Sequence, residues 1–325
     1  MLKSVFSNFF FDKKAIIFAI TNVCNYKCEM CSIWKQKNKR MVKLDEAKKV
    51  LIKLYKNNFG TIQITGGEPL LNPDVFSIIN FAKKLNFLVF LVSNGSLINE
   101  SVAHKLSVYG VDNFGISFHH YDETISEKIF NHKSILSKTI NSIKCLKKEN
   151  IPTEALFTLS KYNENDIEKI VDYINSFDIG VSFCIPTIVK ETSYSLGGNC
   201  MNFSREELKN KFLEIIRLKK KGYNIVNNMI FLKEVVDFLE GKNRHYCLGG
   251  YKIFYLDWNL DLYPCMIKGQ NMLIDEVNFN FENEKCNKCL LQCFREPSLF
   301  LLSKSLALKL ILQELPNYSK LIKRR

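Results

Sequence analysis

The chain has 325 residues, 46% hydrophobic and 24% charged, a balance that excludes wholesale disorder. Its 46 basic and 33 acidic side chains leave a formal net charge of +13. Eleven cysteines, an odd number in a long chain, do not describe a small secreted disulfide scaffold.

Residues 1–20 open with a basic residue and are rich in aromatics, but Asp12, Lys13 and Lys14 interrupt them and no small-residue cleavage site follows. They are not read as a signal peptide. No segment offers the roughly 20 uninterrupted apolar residues of a membrane span, and a reducing cytoplasm is the expected location. From residue 15 the chain alternates short β-branched or aromatic runs with longer amphipathic ones. Strands are expected at 15–21, 61–65, 87–93, 113–118, 153–160 and 180–186, buried on both faces. Helices are expected between them at 44–57, 74–85, 99–109, 134–149 and 164–177. Such βα repetition implies a parallel sheet with right-handed crossovers. Periodicity does not separate a partial barrel from an open doubly wound sheet. Beyond it lie a loop at 190–203, helices at 205–221 and 229–240, a strand pair at 252–257 and 260–263, and an apolar tail at 299–312 punctuated by Lys304 and Lys309.

The cysteines cluster. Cys24, Cys28 and Cys31 form a C-x3-C-x2-C run after the first strand, and Gly66-Gly67-Glu68-Pro69 follows the second. Three thiolates on one tight loop can hold three irons of a cubane and leave the fourth open to a small molecule. A structural zinc site wants four protein ligands, and a fourth would have to come from elsewhere in the chain. Two glycines let a backbone approach a ligand closely, and the proline stiffens the turn. Both loops fall at the C-terminal ends of parallel strands, where sites in such sheets are built.

This combination, with Ser93-Asn94-Gly95 after the third strand, resembles the radical S-adenosylmethionine (SAM) superfamily over roughly residues 15–190. The resemblance implies an α/β fold: a partial (β/α)6 TIM-like barrel with a small C-terminal cysteine-rich, cluster-binding extension. It implies a four-iron four-sulfur cluster on Cys24, Cys28 and Cys31, whose open iron is chelated by SAM. It also implies reductive cleavage of SAM to a 5′-deoxyadenosyl radical that abstracts hydrogen from a substrate. Gly66, Gly67, Glu68 and Pro69 would bind the methionyl end of SAM, with Ser93 and Asn94 beside them. Met30 would lie against the adenine, Ser117 near the ribose or methionyl part, and Ser160 with Lys161 at the end of the fifth strand. Many relatives continue the fourth strand with Asp-Gly, where this chain has His119-His120. That pair is read as structural rather than as substrate contacts. No catalytic residue is assigned.

A second group, Cys247, Cys265 and the run Cys286-x2-Cys289-x3-Cys293, points to another metal centre, iron–sulfur or zinc. It resembles the auxiliary-cluster extensions of radical SAM enzymes, the SPASM and shorter twitch domains, although Leu260 stands where a glycine is usual. Five thiols suffice for one four-iron auxiliary cluster with one to spare. The ligands assigned are Cys265, Cys286, Cys289 and Cys293, with Cys247 as the fifth candidate. Cys145, Cys184 and Cys200 are read as packing thiols.

The division expected is 1–195 barrel, 196–245 bridging helices, 246–297 auxiliary cluster region and 298–325 basic amphipathic tail. A reductant such as flavodoxin or ferredoxin is the implied partner. The substrate is drawn from peptides or protein side chains, lipids, sugars and cofactor precursors. The basic knot Lys35, Lys37, Lys39, Arg40 and Lys43 and the terminal Lys323-Arg324-Arg325 are read first as solvated charge. Nucleic acid is not expected, since no binding motif accompanies them; the tail is the place for any peripheral membrane contact. The competing reading is a non-catalytic metalloprotein, a zinc ribbon or an electron-transfer module.

Overall fold

The computed structural model of the chain describes residues 13–187, 197–269, 271–310 and 312. Six strands, β1 (Lys14–Ala19), β2 (Phe59–Thr65), β3 (Leu88–Ser93), β4 (Asn113–Ser117), β5 (Thr153–Thr158) and β6 (Gly180–Cys184), pair in parallel with their neighbours. Helical crossovers connect them: α1 (Leu44–Lys56), α2 (Val75–Lys84), α3 (Glu100–Tyr109), α4 (Glu123–Phe130), α5 (Ile135–Lys148) and α6 (Ile167–Asn175). Each expected element forms, with ends shifted by a few residues. Helix α4 was not expected: it is short, capped by Asp122 Oδ1 on Ile125 N–H and ended by Asn131 in the left-handed region.

The strands are not buried alike on both faces. Ile62, Ile64, Phe114, Ile116, Phe157 and Phe183 point outward and pack, fully buried, under the helices. The alternate residues Thr61, Gln63, Asn113, Glu154, Thr158 and Cys184 keep accessible surface. Strand period fixes this alternation, and curvature of the parallel sheet turns the second face into the lumen of a partial barrel.

The sheet continues past the barrel. β7 (Ile253–Leu256) adds in parallel to β1, and β8 (Asp261–Tyr263) and β9 (Met272–Leu273) follow antiparallel. The result is a nine-stranded sheet in the order β6-β5-β4-β3-β2-β1-β7-β8-β9. The expected strand pair therefore forms as part of the barrel sheet.

Helices α7 (Arg205–Lys221) and α8 (Met229–Leu239) occupy their expected places. A capping box of Ser204 with Glu207 starts α7, and Asn228 Oδ1 caps α8 at Ile230 N–H. The tail helix begins earlier than expected, as α9 (Gln292–Leu302), and residues 304–310 are helical again. The end of the tail and most of the 190–203 loop lie outside the described residues.

Helix α9 spans the seam left between β6 and β7. On one side Leu248 N–H donates to Ser298 Oγ (2.8 Å) and Lys252 Nζ to the Leu301 carbonyl (3.3 Å). On the other, Asn228 N–H donates to Glu296 Oε1 (2.7 Å), and Cys184 Sγ lies 4.0 Å from Gln292 Oε1. Among the described residues no helix is long and apolar enough to cross a membrane.

Candidate active site

The loop after β1 carries the first three cysteines and is held at both ends. Thr21 bridges Met41, Asn22 N–H donates to the Arg40 carbonyl (3.2 Å), and Asn22 Oδ1 accepts from Arg40 N–H (2.8 Å). Its middle is anchored on α4. Tyr26 is buried edge-on against Phe130 (5.8 Å between centroids), and the N–H groups of Lys27 and Glu29 donate to the carbonyls of Phe130 and Ile129. The unexpected helix is thus what fixes the cysteine loop. Burial raises all three thiols, Cys31 to about 11; the charge of Glu68 adds to it at Cys24, those of Cys31 and Cys24 at Cys28, and that of Cys24 at Cys31. Buried thiols that resist ionisation gain from a bound cationic centre, which needs them as thiolates.

The Gly66-Gly67 turn lies directly against this loop. A Cβ on Gly66 would sit 2.3 Å from the Thr21 carbonyl oxygen, and one on Gly67 2.1 Å from that of Val23. Gly67 N–H donates to Thr21 O and Glu68 N–H to Val23 O, both at 2.8 Å, which carries the β1–β2 pairing past the strand ends. Glu68 is fully buried: Oε1 accepts from Ser93 Oγ (2.8 Å) and Leu70 N–H (3.0 Å), and Oε2 from Asn94 N–H (2.8 Å). Loss of solvent outweighs these three donors and pushes its carboxyl up to about 7. Pro69 is buried at the start of the next turn, and Asn94 Nδ2 reaches back to Asn25 Oδ1 in the cysteine loop (2.9 Å). Gly66, Gly67, Glu68, Pro69, Ser93 and Asn94 therefore form one continuous rim with the three cysteines. Glu68 and Ser93 spend their side chains holding that rim.

Ser117 ends β4 on the lumen side, half-buried. Ser160 is fully buried, and its Oγ has no partner among the described residues. Met30 is buried in a cluster with Tyr26, Phe130 and Met201, against which Cys24 and Cys28 also pack. The two histidines are pinned in the wall. His119 Nδ1 accepts from Thr158 N–H (3.2 Å), its ring stacks on Phe130 (4.9 Å), and burial holds it down to about 4. His120 Nδ1 accepts from Asp122 N–H (2.9 Å). Both do structural work.

All five cysteines of the second group come together. Cys247 N–H donates to the Cys286 carbonyl (2.8 Å), Cys247 Sγ accepts from Gly249 N–H (3.3 Å), and Cys265 Sγ accepts from Lys268 N–H (3.4 Å). Burial, then the charges of Cys247, Cys265 and Cys286, push Cys289 up to about 11. Cys293, on the first turn of α9, is raised by burial and then by Cys184, Cys247 and Cys289. Cys184 was read as packing; it lies instead on the lumen face beside Cys293. The strand alternation that places Ser182 and Cys184 on one face was the available signal. Sequence reasoning also missed the buried pair Glu234–Arg295. Arg295 donates to Glu234 Oε1 (2.7 Å), to the His245 carbonyl (2.7 Å) and to Asn287 Oδ1 (2.9 Å), tying the 286–293 loop to α8.

The β7–β8 turn is closed by Asp257, whose Oδ1 accepts from Asn259 N–H (2.8 Å) and Asp261 N–H (3.1 Å). Leu260 takes a φ of 68° there, which explains why a glycine would be usual. A cleft of about 430 Å³ lies between this turn and the cysteine loop, lined by Lys35, Lys37, Asp257, Trp258 and Tyr263 among others. Among the described residues no group of three or more His, Cys, Asp or Glu side chains converges as one metal ion would require.

Residues 18–174 match the model of a family described as the radical SAM superfamily. The chain is 26% identical over 179 residues to the AdoMet-dependent heme synthase of Methanosarcina barkeri, covering 54% of this chain and 51% of that protein. It is 24% identical over 151 residues to the PqqA peptide cyclase of Gluconobacter oxydans, covering 46% and 42%. The match thus spans about half the length of these curated relatives. SuiB of Streptococcus suis bound to S-adenosylmethionine superposes with a TM-score of 0.65 at 13% identity, over 84% of this chain and 66% of that one. SuiB bound to the precursor peptide SuiA gives 0.61 at 15% identity, over 86% and 64%. At such identities the likeness is one of fold.

Proposed function

Because this chain belongs to the radical SAM superfamily, we propose that it is an enzyme that reductively cleaves SAM and takes a hydrogen atom from a peptide or protein side chain. Cys24, Cys28 and Cys31 would hold a four-iron cluster, which when bound would supply the electron for reductive cleavage of SAM. The observation that carries the reading is the joint between the two loops. The Gly67 and Glu68 N–H groups are bonded to the backbone of the cysteine loop with no room for a Cβ. The rim from Gly66 to Pro69 would hold the methionyl end, Glu68 and Asn94 keeping its shape, and the orphaned Ser160 hydroxyl offers a further polar contact. Met30, clustered with Cys24 and Cys28, is placed to meet the adenine.

Five converging thiols at Cys247, Cys265, Cys286, Cys289 and Cys293 fit one auxiliary cluster. The N–H groups aimed at Cys247 and Cys265 sulfurs suit thiolates that carry charge. A peptide substrate is supported by the relative named for a peptide and by the neighbour solved with one. A low-potential carrier of the flavodoxin or ferredoxin type would deliver the electron, in a reducing cytoplasm.

Anaerobic reconstitution with iron and sulfide, then reductant and SAM, tests the activity. 5′-Deoxyadenosine should form in the wild type and vanish in Cys28→Ala. A triple Cys24/Cys28/Cys31→Ala variant should retain about four irons. Tightly bound zinc with no SAM cleavage under any reductant would favour the metalloprotein reading.

A further inference from the structure

We infer that the basic face around Trp34 is the docking surface for an acidic one-electron carrier protein, which delivers its electron to the cysteine loop at that indole. The inference deepens the proposed function and rests on its reading of Cys24, Cys28 and Cys31 as the holders of a redox cluster.

Trp34 stands on a short turn, Ile33–Lys35, that follows the third cysteine. Its Nε1–H donates to the Cys28 carbonyl (3.3 Å), so one hydrogen bond joins the indole to the backbone of a cluster-holding residue. Ile33 is buried beneath the turn, while Trp34 keeps part of its surface.

A collar of cations surrounds the ring. Lys35 Nζ lies 5.2 Å and Lys27 Nζ 5.9 Å from its centroid, and Lys39 Nζ donates to the Trp34 carbonyl (2.7 Å). Residues 27–43 carry six basic side chains and one acidic, Glu29. Lys27, Lys35, Lys37 and Lys39 are exposed. The nearby acids are engaged: Glu29 accepts from the Tyr162 hydroxyl (2.6 Å), and Glu46 is paired with Arg40 (2.6 Å). Cations gathered in one place repel one another, and an anionic partner relieves that repulsion.

The face is recessed. Lys35 and Lys37 line the cleft of about 430 Å³, together with Trp258 and Tyr263 of the β7–β8 hairpin. Asp257, the acid in that lining, is 1% exposed and accepts from Asn259 and Asp261 N–H. A protruding acidic loop of a carrier would meet both lysines and aromatic surface there. One electron leaves the carrier's reduced flavin, which becomes a semiquinone, and the cysteine-held centre gains it; no bond forms or breaks. The charge is matched to a carrier because the loop behind it needs an electron from outside, and Trp34 is where surface and loop are bonded.

Fluorescence anisotropy of dye-labelled flavodoxin, an acidic flavin carrier, titrated with the reconstituted enzyme tests the surface directly. At about 50 mM salt the wild type should bind roughly tenfold more tightly than Lys35→Glu/Lys37→Glu, and about 0.5 M salt should remove most of the difference. Lys220→Glu/Lys233→Glu, at exposed positions of α7 and α8, should bind as the wild type does. Reduced flavodoxin should bleach the cluster absorbance more slowly in the Lys35/Lys37 variant. Photoreduced 5-deazariboflavin, small and uncharged, should bleach both proteins alike and so shows the variant folded and loaded. Equal flavodoxin affinity in the wild type and that variant overturns the inference and leaves this charge to another polyanion. Wild-type binding that salt does not weaken overturns it without any variant. An equal loss in the Lys220/Lys233 variant does the same, since net charge alone would then explain the attraction. Formation of 5′-deoxyadenosine is read separately: its absence in the wild type with either reductant sinks the proposed activity and leaves the binding comparison standing.

Discussion

Gly67 shows how little space the rim allows. Its position is set by two backbone hydrogen bonds to the cysteine loop, and an added methyl would meet the Val23 carbonyl at 2.1 Å. Gly67→Ala must therefore push the two loops apart, with a stability loss of about 1–3 kcal/mol as for other overpacked sites. Denaturant midpoints would read the stability, and 5′-deoxyadenosine formation should fall at least tenfold. Normal SAM cleavage by the variant would mean that the rim tolerates separation and that its closeness serves folding alone. Glu68 belongs to the same account. A sequence reading places it on the cofactor, and its oxygens also accept from Leu70, Ser93 and Asn94, which hold it in the rim. The sequence could not show this, because the partners lie on another loop. The cysteines were legible at once, since their spacing is itself the chemistry. Cys184 was not, because its neighbour Cys293 is more than a hundred residues away.

At the scale of elements, the β7–β8 turn stores a pH dependence. Asp257 is 1% exposed, and burial pushes its carboxyl up to about 6 from an ordinary value of 3.8. A carboxyl whose folded pKa is raised stabilises the fold most when protonated, so its contribution is present below about pH 4 and lost as pH rises to about 6. The size is on the order of 3 kcal/mol. Urea unfolding of the cluster-free protein between pH 4 and 8 should show this fall. Asp257→Asn, which keeps the Oδ1 acceptor for Asn259 and Asp261, should flatten it; an unchanged slope would place the effect elsewhere. The strands and long helices were readable from periodicity because each buries a continuous apolar stripe. Helix α4 escaped because eight residues make too short a pattern, yet it anchors the cysteine loop through Tyr26, Lys27 and Glu29.

Across the whole molecule, the cysteine-rich extension completes the barrel. β7 extends the sheet beside β1, and α9 crosses the seam to β6, so one helix carries Cys293 to the other thiols and Arg295 back to α8. Arg295→Met would strand the buried Glu234, at a cost of about 3–5 kcal/mol. The freed 286–293 loop should then lose its cluster, lowering reconstituted iron from about eight per chain toward four while the first cluster's signal persists. Full iron in that variant would show the thiols hold the loop unaided. The sequence by itself determined the βα alternation, both cysteine groups and the glycine turn, because these depend on spacing along the chain. Tertiary structure alone decided which distant residues meet: Cys184 against Gln292, Arg295 on Glu234, Glu68 locked to Ser93. Such pairings arise when the sheet curves and α9 closes it, bringing distant residues within a few ångströms, and no local pattern records that distance.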